Sequence, residues 1–206
     1  MGHGQANLNE SGSFVGSGLA MAFIRITKMD AAVRQLRTAI RLWFHDGDPV
    51  SIQTLLAAAH EIIHVLYKRQ GLKDLLFDSS LIKEEYRSTV AKRLKAIPSF
   101  FKHAREDPEG EIEFNPELNY LLIILLTDAL RRMKHPEGIE EQTVVRWLMV
   151  NEPNWVVRHW VPIDELEQVK GMNKTEFFQT AESLWRDRTS LSRAGQPRLR
   201  RRQQIS

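Results

Sequence analysis

The sequence predicts an all-α protein, a single bundle of about five to seven helices. Apolar side chains recur every three or four residues in several long segments, which is the spacing of an amphipathic helix. Glycine or proline separates these segments, and no two of them show the alternation typical of paired strands. Hydrophobic residues make up 42% and charged residues 27% of the 206 residues, so the chain has enough apolar material for a core.

Glycine and charge content divide the chain into three parts. Residues 1–22 hold five of the eleven glycines and one charged residue. We expect a disordered extension there, with Met21 as a candidate native start, followed by the helical bundle over 23–187. Residues 188–206 carry six of the 29 basic residues and no acid, which predicts a basic disordered tail. The rest of the chain then has 23 basic and 26 acidic residues, a net charge of −3.

The first two helices are predicted from their ends. One begins near Asp30, whose carboxylate can accept first-turn amides, and Gly47 follows as a stop. Asp48 then caps a second helix, with Pro49 at its first position. This second helix continues to about Arg69.

Later helices follow from the same signals. A third begins near Ser80, and Pro98 should kink or break it. Asn115-Pro116 starts a fourth, which is apolar nearly all round and therefore central to the bundle. Residues 139–150 form a fifth helix, and Asn173 caps a late amphipathic one.

Composition also bounds the compartment. The chain has no cysteine, which excludes disulfides and thiolate metal sites and is typical of a reducing cytoplasm. The longest apolar run, residues 121–126, is far shorter than the roughly 18 residues that a membrane helix needs. No basic start followed by a long apolar segment is present, so we expect a cytoplasmic protein with no membrane partner.

One stretch, HEIIH, fits the H-E-x-x-H pattern of zinc proteases. In that pattern two histidines one helical turn apart bind zinc, and the glutamate activates the metal-bound water. His60 and His64 would be the ligands and Glu61 the base. On a helical wheel both histidines fall beside the main apolar stripe, with Gln53 and Ala57. That position suits a partly buried metal site or ordinary boundary histidines.

The third zinc ligand is the weak point of this hypothesis. Tyr67 and Gln70 occupy the positions where the extended motif has glycine and histidine. Glu84 or Glu85, about twenty residues after the motif, could complete the site, although the helix dipole also favours acids at a helix start. Zinc therefore stays an alternative to a protein without a cofactor.

A second alternative site follows an aromatic pair at the end of the third helix. Lys102, His103 and Arg105 could bind phosphate, with His103 as a general base. No nucleophile or partner acid is recognisable beside them. A histidine at a helix end is otherwise favoured by the helix dipole.

A tryptophan-rich stretch is the candidate partner-binding surface. Trp155, Arg158 and Trp160 either cover one end of the bundle or form an exposed patch for another protein. The basic tail could contact nucleic acid weakly through its phosphates, but it has no aromatic residue to stack on bases. Nucleic acid is otherwise not an expected partner.

Several stretches resemble an uncharacterised family of small bacterial all-helical proteins. They are TKMDAAVRQLRTAIRLWFHDGDPVSIQTL, HEIIHVLYK, LLFDSSLIKEEYR, FFKHAREDPEG and IEF. The resemblance covers roughly residues 25–150. It implies a compact helical domain in a bacterial cytoplasm, and it implies no activity, cofactor or catalytic residue.

The stretch FFKHA distantly resembles the lysine–histidine element of some HEPN-type helical domains, several of which are ribonucleases or toxin partners. This resemblance implies RNA binding or cleavage through Lys102, His103 and Arg105. The HEPN nuclease motif, however, has an arginine and then a histidine, with about four to six residues between the two. No histidine from His45 onward has an arginine at that spacing, so the resemblance extends to the helical fold at most.

These observations favour a non-enzymatic cytoplasmic protein that acts through contacts with a protein partner or as a homodimer, in a regulatory role. The alternatives are a zinc-dependent hydrolase that uses the HEIIH helix and a HEPN-like RNA-binding protein or ribonuclease.

Overall fold

Six α-helices and no strand make up the described part of the computed structural model, which covers residues 23–72, 84–103, 107–152 and 169–194. The helices are α1 (Lys28–Phe44), α2 (Pro49–Arg69), α3 (Glu84–Lys102), α4 (Glu117–Arg132), α5 (Ile139–Asn151) and α6 (Lys174–Ala194). The all-α prediction is confirmed, and the number of helices agrees with it.

The start of α1 lies earlier than predicted. Thr27, not Asp30, is the N-cap: the Thr27 hydroxyl accepts the Asp30 amide at 3.0 Å, and the Asp30 carboxylate accepts the Thr27 amide at 3.0 Å. The two residues form a reciprocal capping box, which places Asp30 in the third helical position. The hydrogen bonds from the Thr27 side chain and backbone lower the pKa of Asp30.

The start of α2 is confirmed. The Asp48 carboxylate accepts the Ser51 amide at 2.7 Å, and Pro49 is the first helical residue. The Ser51 side chain, and to a smaller extent the Ser51 amide, donate hydrogen bonds that lower the pKa of Asp48. Since only four residues connect the helices, α1 and α2 form a closely packed antiparallel hairpin.

The third helix continues through Pro98 to Lys102, so the predicted break does not occur. Ile97 and Pro98 are buried, and Phe101 packs edge-on against Phe114 with ring centroids 5.6 Å apart. This packing holds the end of α3 in place although Pro98 has no amide to donate to the helix.

The fourth helix is central, as predicted. Its buried side chains are those of Asn119, Leu122, Ile123, Ile124, Leu125, Leu126, Thr127, Ala129 and Leu130. Two contacts align it with α2: the Asn119 amide donates to the Pro49 carbonyl at 3.0 Å, and Arg132 interacts with Tyr67 at the other end. The two helices therefore run side by side in the same direction.

An aromatic cluster joins α1, α4, α5 and α6 at one end of the bundle. Its members are Trp43, Phe44, Tyr120, Trp147, Phe177 and Phe178. Trp43 stacks on Tyr120 with centroids 4.8 Å apart, and the Lys174 ammonium lies 4.6 Å from the centroid of the Trp43 ring. Burial of these rings docks α6, whose N-cap at Asn173 is confirmed by its bond to the Glu176 amide.

A buried ionic network joins α1 to α5. Glu141 is fully buried, and its carboxylate accepts the Arg37 Nε at 2.8 Å and the Gly138 amide at 2.7 Å. Glu140 is also buried and pairs with Arg41. Each buried carboxylate therefore has a cationic partner, which offsets part of the cost of removing it from water.

Two further points concern the expectations for membrane contact and for the chain ends. Among the described helices, α2 alone is long and apolar enough to cross a membrane, a test that core helices of soluble proteins also pass.

The predicted disordered extension, residues 1–22, lies outside the described residues, as does the tail from residue 195 onward. The segment 188–194 is the end of α6, because helix breakers come only with Gly195 and Pro197.

The Arg37–Glu141 pair gives the first prediction. Arg37→Met should lower the free energy of unfolding by about 3 kcal/mol, because it leaves a buried carboxylate without its cation. Arg34→Met, one turn earlier on the exposed side of α1, is the matched control and should be nearly neutral. Urea denaturation followed by tryptophan fluorescence measures both. If Arg37→Met lowers the free energy of unfolding by less than about 1 kcal/mol, the pair contributes no more than a surface ion pair, and the prediction is wrong.

Candidate functional site

The histidines of the HEIIH motif lie on the buried face of α2. The buried residues of this helix are Ile52, Gln53, Leu56, Ala57, Ala59, Ile63 and Tyr67. At about 100° per residue, His60 falls between Tyr67 and Gln53, and His64 falls between Gln53 and Ala57. Gln53 and Ala57, the companions expected for the histidines, are buried, and the histidines lie toward the edge of this buried arc. Both imidazoles are half-buried.

The two rings are close enough to act together. Their centroids are 5.6 Å apart and their planes are 29° apart, as expected for side chains one turn apart on one face. Glu61 is exposed, about 60° from His64 around the helix. In the described residues no group of three His, Cys, Asp or Glu side chains is placed to hold a metal ion. Glu85 is exposed on α3, and the side chain of Glu84 lies outside the described part.

The same face of α2 carries an unusual polar residue. Gln53 is fully buried, and neither its amide nitrogen nor its oxygen has a hydrogen-bond partner among the described residues. Asn119 lies nearby, since its side-chain amide donates to the carbonyl of Pro49, one turn before Gln53. The Asn119 carbonyl oxygen likewise has no partner in the described residues. The α2–α4 interface therefore contains buried polar atoms that packing alone does not explain.

The other predicted site residues fall at different places. Lys102 and His103 are exposed at the end of α3, and the His103 amide donates to the Ser99 carbonyl at 3.1 Å. Arg105 lies outside the described residues. The same holds for the three residues of the tryptophan-rich stretch, Trp155, Arg158 and Trp160.

The structure thus separates the two alternative sites. His60 and His64 face the core of the bundle, whereas Lys102 and His103 face outward. The first pair can contribute two imidazole ligands or pack as a histidine pair, and the second can contact an anion. No family model, curated protein or solved structure matches this chain.

Sequence reasoning missed two features. Glu140 and Glu141 look like ordinary first-turn acids favoured by the helix dipole, so their burial against Arg37 was not predicted. Lys92 and Lys95 were not singled out, although a helical wheel of α3 places both on one exposed face with Lys102. A helical wheel of the sequence could have revealed the lysine face. Nothing in the sequence indicates the ionic network, because its partners are far apart along the chain.

The unpartnered amide gives the second prediction. Gln53→Met keeps the length of the side chain and removes its buried polar atoms, so the free energy of unfolding should rise by about 1–2 kcal/mol. Gln179→Met, on the exposed side of α6, is the control and should change stability little. Thermal and urea unfolding measure both variants. If Gln53→Met destabilises the protein, the amide binds a buried water or ligand and the prediction is wrong.

Proposed function

We propose that this protein works through protein–protein contacts and that an apolar arm, residues 23–26, is its docking element. The arm has no regular secondary structure and precedes the capping box of α1. Phe23 is 91% exposed, Ile24 67% and Ile26 45%, so its three apolar side chains face solvent. Other exposed large apolar side chains of the described residues are scattered singly, which is normal for a protein surface.

The backbone of the arm supports the same role. No residue from 23 to 26 makes a backbone–backbone hydrogen bond within the described residues. A segment with open amide and carbonyl groups can pair with a strand of a partner, and in that extended state alternation would place Ile24 and Ile26 on one side of it. Apolar contact and strand pairing would then contribute to the same interface.

The occupant that these features favour is a second copy of the chain. Two arms related by a two-fold axis offer each other an apolar side and a row of unpaired backbone groups, so the surface is self-complementary. Four residues bury much less than the roughly 800 Å² per partner of a standard interface. We therefore expect a weak dimer, with a dissociation constant in the micromolar range or above.

Sedimentation equilibrium on the full-length chain tests this proposal. Over roughly 5–500 µM the apparent mass should rise toward that of a dimer, and Ile24→Asp should keep the chain monomeric because the interface would bury an unpaired charge. Far-UV circular dichroism should be unchanged, since the arm lies outside the helices.

The matched control is Val50→Asp. Val50 is 41% exposed in the first turn of α2, where an acid is compatible with the helix dipole. This variant should associate like the wild type. A wild-type chain that stays monomeric throughout, or an equal decrease in association in both variants, would reject the arm as a dimer contact.

A second candidate, a zinc-dependent hydrolase, is favoured by the pairing of His60 and His64 at 5.6 Å. It requires about one zinc per chain after incubation with zinc and desalting, with release of the metal in His60→Ala and in His64→Ala. The control is His45→Ala, which should keep the metal. His45 is an exposed histidine at the end of α1. Zinc well below stoichiometric in the wild type, or retained by both motif variants, rejects this candidate.

A further inference from the structure

We propose that the outer face of α3 binds the phosphate backbone of double-stranded nucleic acid. The basic face consists of Ser88, Lys92, Lys95, Ser99 and Lys102, followed by His103. The spacing of the first five is four, three, four and three residues, so they form one stripe along the helix. All six residues are exposed.

The orientation of this face is fixed by packing on the other side of α3. Ile97 and Pro98 are buried, and Phe101 contacts Phe114. The helix also packs on α2. The lysines are therefore held outward on a rigid element, about 21 Å from the first residue of the stripe to the last.

The charge of the face is not neutralised within the described structure. No carboxylate of the described residues forms an ion pair with Lys92, Lys95 or Lys102. Glu85, three residues before Ser88, lies at the N-terminal end of the same stripe and is the one exposed acid among the described side chains of α3. The next exposed acid among the described residues is Asp107. Three cations on one helix face that form no ion pair with a described carboxylate favour a polyanion as the ligand.

The chemistry of the face favours a duplex over other polyanions. Lysine and serine donate to phosphate oxygens without reading sequence. The face has no aromatic side chain on which to stack single-stranded bases, because Phe100 and Phe101 are half-buried and the exposed Tyr86 lies about 120° from Lys92 around α3. It also lacks exposed apolar side chains to insert into a lipid surface. A stripe of about 21 Å matches about six phosphate steps along one duplex strand.

Fluorescence anisotropy with a labelled DNA duplex of about 20 base pairs tests the proposal on the full-length chain. The wild type should bind at low salt, and its affinity should fall as salt rises. Lys92→Glu/Lys95→Glu/Lys102→Glu should weaken binding and reduce the slope of log affinity against log salt by about 2.7, or about 0.9 for each phosphate that a lysine no longer neutralises.

A control with the same change in net charge separates this face from the basic tail. Lys28→Glu/Arg34→Glu/Lys134→Glu reverses three exposed cations elsewhere and leaves α3 and the tail intact. It should keep most of the binding and of the salt slope. Circular dichroism and the unfolding midpoint should show that both triple variants fold.

Several outcomes would overturn the proposal. The absence of duplex binding by the wild type at low salt would do so. Equal binding by the two triple variants would assign the contact to the tail or to net charge. Tighter binding of a single strand of the same length, or binding of anionic vesicles without binding of the duplex, would assign the face to another ligand class.

Discussion

The buried carboxylate of Glu141 is the constraint on which the second half of the bundle depends. One oxygen accepts the Arg37 guanidinium from α1, and the other accepts the Gly138 amide at the start of α5. The same side chain therefore fixes where α5 begins and which helix it packs against. A Cβ at Gly138 would lie 2.8 Å from the Arg37 guanidinium carbon, so glycine leaves room for the pair. With α5 placed, Trp147 meets Phe44 and Phe177, and α6 can dock.

The parts of the fold that the sequence predicted are those set by near neighbours. Asp48 and Pro49 start α2, and Asn173 caps α6, because a cap acts within one turn. One error was local: the capping box puts the N-cap of α1 at Thr27 and not at Asp30. Others came where a distant contact outweighs a local signal. Pro98 was expected to kink or break α3, yet its burial with Ile97 and the contact between Phe101 and Phe114 hold the helix together. Arg37 and Glu141 are 104 residues apart, a separation at which periodicity gives no information.

The position of the histidines shows the same limit within a single helix. A wheel built from apolar residues alone centres the core of α2 on its isoleucines and leucines. In the structure Gln53 is buried as well, which shifts the buried arc over His60 and His64. The fourth helix covers this side of α2, with Asn119 at the Pro49 carbonyl and Arg132 at Tyr67. The burial of this side of α2 depends on the helix that packs against it. The sequence of α2 alone does not say which helix that is.

The apolar arm and the basic face depend on different physical terms, so one variable separates them. Apolar association persists at high salt, while phosphate contacts weaken as counterions compete. The two surfaces also lie on different elements, the arm before α1 and the basic face on α3. If both operate, a dimer carries two basic faces, and a duplex long enough to reach both would be bound more tightly than by a monomer. Removal of the arm would then weaken binding to a long duplex and leave binding to a short one unchanged. That pattern distinguishes cooperation between the surfaces from two independent activities.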